Sequence, residues 1–162
     1  MDVSKKIVGQ KIQKIIYSEV NNNKGEFYFD GFDTFDFAIN IQMQNDFWWH
    51  LAWKDDDFFE FGKGLYQKNS HLSLDIIKSW EANNRWIDVL NSSIINFKIS
   101  HIDKAKLIPS LIEISFENGK KIKILIAEEL NADNSIPFGL KYDFSGRIYV
   151  IHNLNILKEI EV

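Results

Sequence analysis

The chain contains no cysteine, which excludes disulfides, thiolate metal ligands and cysteine nucleophiles. Proline and glycine are scarce, with two and eight residues among 162, and this scarcity argues against long flexible linkers. No run approaches the ~18 consecutive apolar residues of a membrane-spanning helix, and the opening MDVSKKIVGQKIQKII lacks the continuous apolar core of a signal peptide. Because 162 residues suit one hydrophobic core, the sequence predicts a single cytoplasmic domain over 1–162.

Positive charge is also in deficit. The chain has 19 Lys and Arg against 23 Asp and Glu, a formal charge of -4 and a pI of about 5.6. This balance opposes sequence-independent binding of nucleic acid, which depends on clustered cations. The one basic-leaning zone is typical of a solvated hairpin face and comprises Lys104, Lys106, Lys120, Lys121 and Lys123. We expect neither a nucleic-acid nor a membrane partner. The dominance of Lys over Arg, with abundant Ile and Asn, is typical of an AT-rich bacterial genome.

Sequence signatures of catalysis and metal binding are missing as well. Four histidines occur without the paired spacing of a metal site: His50, His71, His101 and His152. There is no G-x-S-x-G elbow, and FGKGLY lacks the Lys-Ser or Lys-Thr of a phosphate loop. In DGFDTFD, the spacing of Asp30, Asp33 and Asp36 differs from that of a calcium loop. We therefore predict no metal and no cofactor, and favour a protein that is not an enzyme.

Alternating apolar residues dominate what is present, and they predict eight or nine strands. The segments are QKIQKIIYSEV, FDFAINIQM, FWWHLAWK, DFFEFG, SIINFKIS, LIEISF, KKIKILIAEE and FGLKYDFSGRIYVI. QND, ENGK and FSGR are expected turns, with Gly supplying a positive φ in the last two. In SLDIIKSWEANNRWIDVLN the apolar residues are near helical spacing, with Ser73 as the N-cap. The predicted fold is α+β: a mainly antiparallel sheet or open barrel with one helix inserted near 73–90.

The two halves of the chain, 7–64 and 90–151, show similar patterns. Equivalent spacing relates Ile12, Ile15, Tyr17 and Val20 to Ile94, Phe97, Ile99 and Ile102. A hairpin follows in each half and runs into acids, Asp55 and Asp56 in the first and Glu128 and Glu129 in the second. An internal duplication explains this likeness. The alternative is chance, because alternating apolar patterns match one another easily.

The stretch FWWHLAWKDDDFFEF holds three of the five Trp residues. Its alternation places Phe47, Trp49, Leu51 and Trp53 on a core-facing row, and leaves Trp48 and His50 on the opposite face. A solvated turn that discourages edge pairing is one interpretation of the acids that follow. The other interpretation is a partner-binding surface, for which the candidates are Trp48, His50, Asp55, Asp56, Asp57, Phe58 and Glu60.

Three functional hypotheses follow. The favoured one is a protein-binding module whose aromatic and acidic surface holds a basic partner; in size, charge and aromatic content this profile is similar to that of bacterial immunity proteins. The alternative is an enzyme or small-ligand protein with a pocket between sheet and helix. Its lining would be Trp48, His50 and Trp80 or Trp86, with His50 as acid or base. The third is a homodimer formed through a strand edge.

Overall fold

The computed structural model describes residues 2–20, 27–53, 58–66, 77–129, 138–143 and 146–161. These residues form thirteen strands, one short α-helix, α1 (Ser4–Ile7), and two 3-10 helices, Asn83–Trp86 and Leu154–Ile156. The strands are β1 (Ile12–Val20), β2 (Tyr28–Phe29), β3 (Phe32–Phe35), β4 (Ala38–Met43), β5 (Trp48–Trp53), β6 (Phe59–Lys63), β7 (Ile77–Glu81), β8 (Ile94–Asp103), β9 (Ile108–Phe116), β10 (Lys121–Glu129), β11 (Phe138–Tyr142), β12 (Arg147–Ile151) and β13 (Leu157–Glu161). None of the helices in these ranges is long and apolar enough to cross a membrane.

The strands form two sheets, which confirms the predicted mainly antiparallel architecture. The first sheet has the order β6-β5-β4-β1-β7. The second follows the path β13-β11-β10-β12-β3-β2, and β8 and β9 join it through the pairing of β9 with β10. All strand pairs are antiparallel except β11 with β13. Neither sheet of the described residues closes into a barrel.

The main hydrophobic core lies between the two sheets. It contains buried residues of the first sheet, such as Ile15 and Trp49, and of the second, such as Phe97 and Ile124. Trp49 and Phe97 meet edge to face, with ring centroids 5.2 Å apart. Two smaller apolar clusters lie on the outer faces, one on each sheet. Residues on both faces of β5 and β12 are buried, which explains why these two strands are apolar along most of their length.

The hairpin predicted around QND is confirmed as β4–β5, with Ile41 opposite Trp49. Its turn holds Asp46 at a φ of 66°, a left-handed conformation that Asp tolerates better than most residues. The ENGK hairpin, β9–β10, uses Gly119 at a φ of 88° in the equivalent place. In both turns an Asn side chain accepts a hydrogen bond from the backbone two residues on.

The two halves share register as well as pattern. In each half the opening strand pairs with the first strand of the hairpin, and an irregularity in pairing falls at the same place, after Ile12 in one half and after Ile94 in the other. The second half has two further irregularities, near His101, that the first half lacks. Backbone bonds at the strand ends also correspond: Gln44 N to Lys11 O and Glu117 N to Ser93 O are both 2.8 Å. A duplication predicts this correspondence, although the common descent of the two halves stays a hypothesis.

The predicted helix over 73–90 is wrong for residues 77–81, and among the described residues of this range only Asn83–Trp86 is helical, as a short 3-10 helix. Residues 77–81 form β7, which pairs with β1 so that Trp80 lies opposite Tyr17. Where β7 ends, the Asn83 side chain takes over the pairing: its Oδ1 accepts from Ile15 N at 2.8 Å and its Nδ2 donates to Gln13 O at 3.0 Å. Pairing to an available strand edge outweighs the helical spacing of the apolar residues, since Ile and Trp suit strands well.

Candidate functional site

The structure describes four of the seven residues that were predicted to form one binding surface. Asp55, Asp56 and Asp57 lie outside the described residues. Trp48, Phe58 and Glu60 are half-buried, whereas His50 is buried with 4% of its surface exposed. As a buried side chain, His50 is poorly placed for contact with a partner, which corrects its assignment to the surface.

His50 is held by its neighbours on the outer face of the first sheet. Its Nδ1 lies 2.8 Å from the carbonyl oxygen of Gly64, and its ring is 5.3 Å from that of Tyr66. Asn40, opposite His50 on β4, fixes Tyr66 through both ends of its amide: Oδ1 accepts from the Tyr66 N–H and Nδ2 donates to the Tyr66 carbonyl. These contacts give His50 a packing role on a covered sheet face.

The alternative pocket, between His50 and Trp80 or Trp86, is not formed by the described residues. Paired residues on neighbouring strands share a face, and the pairing connects His50 to Asn40 on β4 and Ile16 on β1. Trp80 is paired with Tyr17, the next residue of β1, and therefore lies on the opposite face. Trp80 and Trp86 belong to the core between the sheets, where no helix of the predicted kind covers them.

A cleft of about 570 Å³ lies where the exits of the two hairpins meet. Trp53, the last residue of β5, forms one side, and Glu128 and Glu129, the last residues of β10, form another. The remaining lining residues are Val20, Asp36, Ala127, Gly146, Arg147 and Tyr149. The cleft therefore combines aromatic walls with carboxylates at the junction of the two sheets.

Two residues of the cleft lining, Asp36 and Arg147, contact a buried acid behind them, Glu19. Glu19 Oε2 accepts from Asp36 N at 2.6 Å, and Asp36 Oδ1 accepts from Val20 N at 2.7 Å. Arg147 reaches Glu19 at 3.3 Å and Asp36 at 3.8 Å. Burial and the charge of Asp36 raise the pKa of Glu19 to about 7, against the opposing effect of Arg147. A carboxyl with a pKa near neutrality beside a cleft is a common property of functional sites.

The outer part of the cleft is acidic. Burial and then the charges of Glu129 and Glu128 raise the pKa of Tyr149 to about 12, so its hydroxyl stays neutral and both carboxylates lie close enough to act on it. The described lining residues include three carboxylates, Asp36, Glu128 and Glu129, and one cation, Arg147. The cleft thus favours positively charged groups.

Gly146 allows the two strands that frame the cleft to approach closely. A Cβ on this residue would lie 2.4 Å from the Ala127 carbonyl oxygen, a distance that no side chain can occupy. Gly146 N donates to Asp143 O at 3.0 Å, and Phe144 and Ser145 of the predicted turn lie outside the described residues. The positive φ expected for Gly146 is not observed. Close backbone approach is the reason for glycine here.

A second polar cluster joins the two sheets inside the core and centres on Asp33, which is fully buried. Its carboxylate accepts from Tyr17 Oη at 2.6 Å and Arg85 Nε at 2.7 Å, and lies 2.8 Å from His152 Nε2. Trp86 donates to Tyr17 Oη at 2.8 Å. Burial and the charge of Asp33 raise the pKa of Tyr17 well above its ordinary range, which keeps the hydroxyl a donor. These bonds hold β1, β3 and the end of β12 together.

Sequence reasoning missed both clusters, but one signal pointed to them. The chain uses Lys for nearly all of its basic residues and has two Arg. Arg85 binds Asp33 and Arg147 binds Glu19, and both acids are buried. A guanidinium offers a planar set of donors that an ammonium cannot replace, so the rare Arg residues of a Lys-rich chain mark sites with demanding geometry.

Comparison of the chain with protein-family models, with curated proteins and with solved structures finds no match. Within the described residues, no three His, Asp or Glu side chains are grouped so as to hold a metal ion. The fold and site together define a two-sheet antiparallel protein with an acidic, aromatic cleft at the sheet junction.

Proposed function

We propose that this protein is a binding module that holds a basic partner protein through the acidic and aromatic cleft, in the manner of a cytoplasmic immunity or inhibitor protein. The observation that carries the proposal is the lining of the cleft, in which Trp53 and Tyr149 stand beside Asp36, Glu128 and Glu129. Aromatic side chains provide large contact areas at interfaces. Carboxylates around them steer a basic partner and select against acidic ones.

The cleft replaces the predicted Trp48 surface as the centre of the site and keeps its chemistry. Trp53 belongs to the same FWWHLAWKDDDFFEF stretch, and Glu128 and Glu129 are the acids that correspond to Asp55 and Asp56 in the second half. We further propose that the halves arose by duplication. The convergence of β5 and β10 on one cleft is then a consequence of two similar hairpins packing against each other.

The proposal is tested by affinity capture from lysate with a charge-neutralised variant. Glu128→Gln with Glu129→Gln removes two carboxylates from the cleft. The matched control, Asp88→Asn with Glu117→Gln, removes two exposed carboxylates that line a separate depression. We expect the wild type and the control to retain the same basic protein and the cleft variant to lose it. Equal retention by all three proteins would contradict the proposal.

A further inference from the structure

The size of the cleft limits what it can receive. Its volume of about 570 Å³ falls in the range of ~300–1,000 Å³ that is typical of pockets for small ligands. A partner can therefore insert one extended side chain with its adjoining backbone, but not a folded element. The described lining residues carry more negative charge, from Asp36, Glu128 and Glu129, than positive charge, from Arg147. A positively charged ligand is therefore favoured in the cleft.

The walls fit the long side chain that carries such a charge. Lys and Arg have apolar stems that pack on apolar surface while the charged group meets polar partners. Trp53 and Tyr149 offer aromatic surface for the stem and the cation, and Val20 adds an aliphatic contact. The carboxylates of Glu128 and Glu129 stand at the exposed end of β10, where both influence the Tyr149 hydroxyl.

Behind these walls lies Glu19, whose protonation depends on the charges around it. From the β3–β4 turn it faces Asp36, from β12 it faces Arg147, and Lys78 of β7 lies opposite it in the strand pairing. Since Asp36 and burial favour the protonated carboxyl, with a pKa of about 7, Glu19 still carries its proton in half of the molecules at that pH. A further cation nearby favours the carboxylate.

We propose that the cleft accepts one cationic side chain of the partner and that Glu19 releases a proton to solvent when this side chain binds. The inference rests on the proposed binding function and adds to it the ligand class and the proton linkage. In the molecules whose Glu19 is protonated, the released proton balances the incoming positive charge, and a new carboxylate forms behind Asp36 and Arg147.

The test uses blocked tripeptides as probes: acetyl-Gly-Arg-Gly-amide, its Lys analogue, and its citrulline analogue, which has nearly the shape of Arg without the charge. Binding is followed by NMR at the indole N–H of Trp53, assigned with Trp53→Phe. We expect the two cationic peptides to shift this signal and the citrulline peptide to leave it unchanged. An equal response to citrulline would overturn the assignment of a cation site.

Proton linkage is tested by repeating the titration at pH 6 and pH 8. For one group with a pKa near 7, the Arg peptide should bind up to about tenfold more tightly at the higher pH. Glu19→Gln should abolish this difference, whereas the exposed control Glu117→Gln should preserve it. Binding enthalpies in phosphate and Tris buffers at pH 7 should differ for the wild type, a readout that requires no variant. Equal enthalpies after correction for peptide dilution, or a pH effect that persists in Glu19→Gln, would refute the linkage.

These results separate the inference from the proposed function. A lysate partner that depends on Glu128 and Glu129, combined with a Trp53 signal that ignores the peptides, would show binding at the rim without an inserted side chain. The proposed function would then stand, and the inference would fail. If no basic partner is retained but the Arg peptide binds, the cleft recognises small organic cations, and the proposed function fails instead.

Discussion

Replacing Asp33 by Asn should strongly destabilise the fold, although the two side chains have nearly the same shape. The carboxylate of Asp33 is fully buried and has three partners within 2.8 Å: Tyr17 Oη, Arg85 Nε and His152 Nε2. Two of these groups donate to it from opposite sides. Whichever way the Asn amide is turned, its NH2 group faces Arg85 or Tyr17, and one buried donor is left without an acceptor.

The magnitude follows from the burial of the charges. A hydrogen bond to a charged group contributes about 1.5–3 kcal/mol, and removing one partner of a buried ion pair costs about 3–5 kcal/mol. Arg85 is only partly exposed, so water replaces the lost carboxylate poorly. We expect Asp33→Asn to lower the free energy of unfolding by about 3–5 kcal/mol. At ~2–4 °C per kcal/mol for a chain of this size, Tm should fall by roughly 6–20 °C.

Urea unfolding, followed by circular dichroism, measures this effect through the midpoint and the slope. The matched control is Asp30→Asn, three residues earlier in DGFDTFD, because Asp30 is exposed and should change stability by less than ~0.5 kcal/mol. The slope should stay constant in both variants, since the surface exposed on unfolding is unchanged. A loss below ~1 kcal/mol for Asp33→Asn would refute the view that this cluster holds the sheets together.

Three further predictions concern the cleft and the hairpin stretch. The pKa of Glu19 in the folded state is about 7, above its ordinary value of 4.5, so between these pH values the folded state holds a proton that the unfolded state releases. The stability that this proton provides is present below pH 4.5 and is lost as pH rises through 7. Urea midpoints measured from pH 4 to 8 should therefore fall more steeply for the wild type than for Glu19→Gln, and parallel curves would contradict this. Gly146→Ala should lower the free energy of unfolding by roughly 1–3 kcal/mol, because the added methyl group overpacks against Ala127, and it should weaken peptide binding at the cleft. A variant whose thermal melt matches that of the wild type would contradict the close approach of the two strands. Trp49→Ala should lower the free energy of unfolding by about 3–5 kcal/mol, whereas half-buried Trp48→Ala should lower it much less, and equal losses in chemical denaturation would contradict the assigned faces.

The sequence predicted the strands whose alternation is undisturbed. Ile39, Ile41 and Met43 on β4 are all buried in the main core, and the polar turn before Phe47 left a single way to pair this strand with β5. The register of each hairpin follows from the same rule, because a slip by one residue would expose the whole apolar row. Patterns of period two are informative when one face of a strand meets the core.

The missed elements lacked that pattern. Strands β2 and β3 are short, and the alternation of β3 is obscured because Asp33 and Thr34 are buried beside Phe32 and Phe35. The polar residues there are satisfied by partners distant in sequence, such as Arg147, whose Nε donates to Thr34 Oγ1 across 113 positions. Sequence spacing does not report such contacts. The cleft was missed for the same reason, since its walls come from strands that only the tertiary fold brings together.

A photo-crosslinking experiment tests the central claim, the location of the partner surface, most directly. Benzoylphenylalanine replaces Trp53 in one protein and Trp48 in another, and each is irradiated in lysate with and without Glu128→Gln and Glu129→Gln. The cleft account predicts a crosslink from position 53 to a segment of a basic protein next to Lys or Arg, lost when the two glutamates are neutralised, and little from position 48. Crosslinks that arise mainly from position 48, or that survive neutralisation of Glu128 and Glu129, would contradict it.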